Sequence, residues 1–118
     1  MSDDKIRLIK AAVAEMDRLV NVMNGTAEFH PSDYRNLRRL VTDLNRQDDE
    51  NLSLYGRKLS EVYRGAERLA DLRKQYPEHA RPVRKAREAI LKAAEAAERA
   101  GERMVANVYR EAGKKYGA

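Results

Sequence analysis

Apolar residues recur at three- and four-residue steps along almost the whole chain, and little interrupts them. From Ile6 the series runs Ile9, Val13, Met16, Val20 and Met23. From Leu37 it runs Val41, Leu44, Tyr55, Leu59, Val62, Ala66, Leu69 and Leu72. From Val83 it runs Ala86, Ile90, Ala94, Ala97, Gly101, Met104 and Val108. At 3.6 residues per turn these steps lay one apolar stripe along a helix face, and they have the wrong period for a strand. Six Gly and three Pro in 118 residues leave few places to turn. Composition agrees, with Ala, Glu, Arg, Lys and Leu dominant and aromatics at 6%. The spacing predicts an all-α chain, one domain over residues 1–118. Its expected form is an antiparallel up-down-up three-helix bundle, with helices over about 3–24, 33–76 and 82–115.

The helix ends have recognisable chemistry. Ser2 or Asp3 can accept from the free N–H groups of a first turn, and Asn24-Gly25 supplies a left-handed stop. In "GTAEFHPSDY", Pro31 limits continuation, Ser32 is a good N-cap, and Phe29 is expected to fold back onto the core. Pro77 stops the second helix and "PEHARP" makes a tight connection to the third.

The stretch "LNRQDDENLSLY", residues 44–55, is the ambiguous one. Asp48 and Asn51 fall on stripe positions, the helical phase runs through them, and no Gly or Pro intervenes. The phase predicts an unbroken helix of roughly 65 Å, at about 1.5 Å per residue, over 33–76. Asp48 and Asn51 are then a polar pin that sets register, with Arg103, Asn107 or Arg110 as partners. The alternative is a break near Asp48-Asp49, which gives four helices.

Folding about the Pro77–Pro82 turn brings Ala97 to Val62, Met104 to Tyr55 and Val108 to Asn51. On this reading the first helix covers only the 34–54 half of the long one. A thin, Ala-lined hairpin projects beyond it and pairs with a second copy through Ala93, Ala97 and Gly101, giving an antiparallel homodimer.

Composition excludes much chemistry. Without Cys there is no thiol nucleophile and no disulfide, which suits a reducing compartment. His30 and His79 stand alone in separate connections, no two ligands share a metal-binding spacing, and no Gly-rich loop follows a strand. Asp48, Asp49 and Glu50 on a helix point about 100° apart and do not converge on an ion. The expectation is no enzyme, no metal and no cofactor. "MSDDKIRLIK" lacks the apolar segment of a signal peptide, and no apolar run reaches the roughly 18–20 residues of a membrane span. The expectation is therefore a cytoplasmic protein without a membrane partner.

Two binding surfaces remain. The apolar stripe of Val83, Ile90, Ala97, Met104 and Val108, with Tyr55, Leu59 and Val62, is the expected groove for an amphipathic helix of a protein client. Met16, Met23 and Met104 would make it adaptable. The second surface is electrostatic. The net charge of +5 divides as −2 over residues 1–33, +3 over 34–76 and +4 over 77–118. Arg73, Lys74, Arg81, Arg84, Lys85 and Arg87 face only Glu78 around the turn, an expected contact for nucleic acid or an acidic partner. A third reading is a structural or designed helical bundle with no natural ligand, which the Ala-rich regularity of residues 86–103 suits.

"NLSLYGRKLSEVY" and "RKAREAILKAAEAAERAGERMVANVYREAGKKYG" resemble the middle and last helices of flagellar export chaperones of the FlgN type. The order of elements is similar over about residues 36–117. The resemblance implies a cytoplasmic protein-transport chaperone that binds the helical terminal segment of an export substrate, with the last helix supplying the groove.

Overall fold

A computed structural model describes residues 2–30 and 34–115. Among them the chain forms four α-helices and no strand: α1 (Ser2–Asn24), α2 (Tyr34–Arg46), α3 (Glu50–Gln75) and α4 (Arg81–Lys115). The all-α expectation holds; the three-helix form does not. The bundle measures 56 × 24 × 21 Å, and the 35 residues of α4 run its full length.

Contacts at the helix ends give the directions. Lys5 Nζ lies 3.7 Å from an Asp49 carboxylate oxygen just before α3. Near the other end of α3, Arg73 donates to the carbonyls of Val22 and Met23 at 2.7 and 2.8 Å. Helix α1 therefore runs parallel to α3. Helix α4 returns antiparallel, with Ile90 against Gly65 and Gly101 against the Tyr55 ring. Helix α2 also lies antiparallel to α3, its Tyr34 ring 5.4 Å from that of Tyr63 and its Val41 and Leu44 against Gly56. The chain order is up-down-up-down.

The predicted helix over 33–76 is thus two helices folded against each other. Gln47, Asp48 and Asp49 make the break. Asp48 takes a left-handed backbone, φ 52°, a conformation that Asp tolerates better than most side chains. Asp49 is extended, and its carboxylate accepts from the N–H groups of Asn51 at 2.9 Å and Leu52 at 3.3 Å. It therefore caps α3 and recovers donors that a helix start leaves open. Burial drives the fold-back. Leu37 and Leu44, 3% and 0% exposed, are in the core, and each buried leucine contributes about 2–3 kcal/mol. A straight helix would carry both beyond the end of α1. The expected polar pin is absent, since Asp48 is exposed and Asn51 only half-buried.

Register and shape also differ from expectation. Gly101, not Met104, meets Tyr55, a slip of about one helical turn. The connection between Gln75 and Arg81 is centred on Glu78, earlier than the Pro77–Pro82 turn implies. A whole-turn slip leaves the same stripe inward, so the core composition survives it. Nor is there a bare hairpin, because α1 accompanies α3 from Asp49 to Arg73.

The first helix ends as its sequence suggests. Gly25, φ 80°, donates to Val22, and Thr26 donates to Asn21 at 2.9 Å, a left-handed glycine stop. Phe29 packs on the core with its ring 5.2 Å from Tyr63. Pro31 and the proposed Ser32 cap lie outside the described residues.

The break makes a prediction of opposite signs. Asp49→Ala should lower unfolding free energy by about 1–2 kcal/mol and Asp49→Asn by less, since the amide oxygen still caps. Asp48→Gly should raise stability by up to about 1 kcal/mol by relieving the left-handed strain. Urea unfolding reads both. In a continuous helix the same glycine would instead cost about 0.3–0.5 kcal/mol, since Asp is itself a poor helix former, so a destabilised Asp48→Gly would refute the break.

Candidate functional site: a groove between the first and last helices

The residues expected to line a client groove are inside the molecule. Val83, Ile90, Ala97, Met104, Tyr55, Leu59 and Val62 are each no more than 3% exposed and form the core with Met16 and Met23. The side chain of Val108 lies outside the described residues. Bulky residues of α3 fill the space that the small residues of α4 leave, and the Tyr55 ring comes within 3.1 Å of where a Gly101 Cβ would stand. Ala97 and Gly101, expected at a seam between copies, are therefore packed within the chain, and Ala93 is half-buried.

The basic cluster does not act as one patch. Arg73 turns inward to the end of α1 and also donates to both Glu78 carboxylate oxygens at 2.9 and 2.8 Å. Arg87 approaches the same carboxylate at 3.7 Å. These hydrogen bonds from Arg73, and the nearby positive charges, hold the Glu78 carboxyl below its usual range. Lys74 and Arg84 are exposed. Arg81 and Lys85 join Arg68 around a shallow groove floored by Gly65, Pro82, Ala86 and Ala89. His30 and His79 are exposed, and among the described residues no three His, Asp or Glu side chains gather as a metal would need.

A more developed concavity lies between α1 and α4. Its lower section is lined by Ile6, Ile9, Val13, Ala14 and Val105. Its upper section shares Val13, Asp17 and Val105 and continues to Val20, Leu91 and Ala94 over a floor that includes Tyr55 and Gly101. Val13 and Leu91 are 38% and 47% exposed, so large apolar side chains meet solvent here. The groove exists because Ala94, Gly101 and Ala106 let α4 approach the bundle without filling the valley beside it. Its rim is acidic: Asp17 from α1 and Glu95, Glu98 and Glu102 from α4 line the upper section, which has no Lys or Arg. Lys10 lines the lower section.

Only part of this site is legible in the sequence. Leu91, Glu95, Glu98, Glu102 and Val105 follow steps of four and three, a second stripe beside the core stripe of α4. That Asp17 faces it follows only from how α1 sits on α4.

Tyr55 carries the largest electrostatic consequence of this arrangement. Burial, reinforced by the Asp17 carboxylate, pushes its phenol up to about 12 from the ordinary 10. The folded state thus keeps this proton more tightly than the unfolded chain does. Its contribution to stability is complete below pH 10 and declines as pH rises from 10 toward 12. Unfolding by urea across that window should show wild type losing stability more steeply than Tyr55→Phe. Parallel slopes would mean the hydroxyl is not confined as described.

No protein-family model matches the chain, and no curated protein or solved structure matches it either.

Proposed function

We propose that the protein is a non-enzymatic helix-binding protein whose α1/α4 groove captures an amphipathic helical segment of a protein client. The observation that carries this is the continuous apolar valley from Ile6 to Leu91, with Val13 and Leu91 left uncovered. A helix laid along it would bury both side chains and restore a filled helix-packing contact. Partner capture thereby moves from the stripe expected in the sequence to the neighbouring face of the same helix. An export chaperone, the form implied by the FlgN-type resemblance, is one version of this reading, with α4 supplying half of the groove. Self-association through the valley would cover the same two residues, and light scattering across a concentration series reports it.

A second reading has its own observation. Arg68, Arg81 and Lys85 surround the small apolar floor of Gly65, Pro82, Ala86 and Ala89 without a carboxylate in the lining. Nucleic acid or an acidic protein surface fits that charge.

Paired variants separate the two. Val13→Gln with Leu91→Gln alters two well-exposed residues, so stability should change by no more than about 1 kcal/mol for the pair. Used as bait in a quantitative pull-down, this variant should lose clients that wild type retains. Arg81→Glu with Lys85→Glu should keep them. The reverse pattern would move the binding surface to the basic face.

A further inference from the structure

We infer that the helix held in the α1/α4 groove is cationic, with apolar residues on the groove floor and Lys or Arg along its edges. The inference rests on the groove being a docking site and adds the chemistry of what docks. Charge selects the occupant. In a chain of net charge +5, the thirteen residues lining the upper groove include four carboxylates and no Lys or Arg. Glu95, Glu98 and Glu102 rise along the α4 edge at steps of three and four, close to one per turn. A facing helix with Lys or Arg at the same steps presents its cations at the same pitch. Asp17 supplies negative charge from the α1 side. The basic face around Arg68, Arg81 and Lys85, which has no carboxylate in its lining, repels such a ligand.

Length and symmetry narrow the occupant further. From Leu91 to Val105 the α4 edge spans about 21 Å, at about 1.5 Å per residue, so the groove accommodates roughly four turns of helix. A second copy docked groove to groove about a twofold axis would set Glu95, Glu98 and Glu102 near their own images if the axis crosses the groove. If the axis runs along the groove, they would lie near the edge carrying Asp17, a like-charge arrangement in both cases. An acidic helix meets the same repulsion. A basic amphipathic helix of another protein has neither fault.

The probe is a fluorescently labelled synthetic peptide of roughly four turns, leucines along one face and lysines along both flanks, with a control in which every lysine is glutamate. In anisotropy titrations against the intact protein, the lysine peptide should bind at least roughly tenfold more tightly at low salt, and the gap should narrow as salt rises. The triple variant Glu95→Gln, Glu98→Gln and Glu102→Gln changes three exposed side chains. It should weaken the lysine peptide by roughly three- to tenfold, as three exposed ion pairs would. Val13→Gln with Leu91→Gln should weaken either peptide. Equal binding of the two peptides, or a lysine preference unchanged by the triple variant, overturns the cationic assignment. If binding still depends on Val13 and Leu91, the docking reading stands without it. If neither peptide binds, or binding ignores those two residues, the docking reading falls as well. A twofold pair of proteins by light scattering that is lost when Val13 and Leu91 are changed, and that the lysine peptide does not dissociate, likewise overturns the assignment.

Discussion

The close approach of α4 to α3 builds the core of this molecule. Ala97 and Ala100 are buried, and Gly101 gives its missing side chain's place to the ring of Tyr55. Bulk on α3 meets smallness on α4, so the two helices pack tightly although α4 contributes few large side chains. Gly65 is the same device reversed, a gap on α3 that Ile90 occupies. Alanine-rich sequence suggests an undersized core only if the opposing helix is also small. Here Tyr55, Leu59, Val62 and Leu69 make up the volume, and dense packing of this kind keeps the full transfer energy of each side chain.

With that pair established, the remaining helices are held by their buried apolar faces and oriented by contacts at their ends. Arg73 donates to two carbonyls in the last turn of α1 while Lys5 pairs with Asp49 at the opposite end. One residue, Asp49, therefore both starts α3 and draws in the start of α1. Asp48 supplies the reversal that lets α2 lie back over α3. Two adjacent aspartates, which by composition suggest a solvated or pinning pair, thus have separate backbone roles, and neither depends on meeting another charged layer.

This separates what periodicity conveys from what it does not. The stripes identify the helical class and most of the core residues, because burial enforces the 3.6-residue period whatever the tertiary arrangement. Ala12, Leu19, Val22, Leu52, Tyr63 and Ala100 are buried beside them. Periodicity is silent about a break that preserves phase. From Leu44 to Tyr55 the steps continue as though the helix did, and the deciding facts are a left-handed Asp48 and a capping Asp49. Aspartate followed by aspartate and glutamate before Leu52 is itself a helix-start pattern, but the unbroken apolar rhythm masks it. The α3–α4 register slipped for a similar reason. Prolines mark where a turn is permitted, whereas the last hydrogen-bonded residues, Tyr76 to Leu72 and Arg84 to Ala80, mark where the helices end and begin. The groove was the least legible part, because Leu91 lies just off the core stripe and Asp17 belongs to a distant segment.

Net charge hid the site as well. Summed along the chain, the last third is positive, and its cations draw attention to the turn. Around α4 the charges are sorted by direction instead. Leu91, Glu95, Glu98, Glu102 and Val105 share the face beside α1, while Arg81 and Lys85 stand over the α3 side with Ala86 and Ala89. A helix with one small-residue face buried has two flanks left, and here the flanks carry opposite charge. Because Debye screening limits exposed charges to about 8–10 Å at moderate salt, the flanks act as separate surfaces despite belonging to one helix. The charge that a flank presents is thus a local quantity, and on the α1 side the flank from Leu91 to Val105 is acidic in a basic protein.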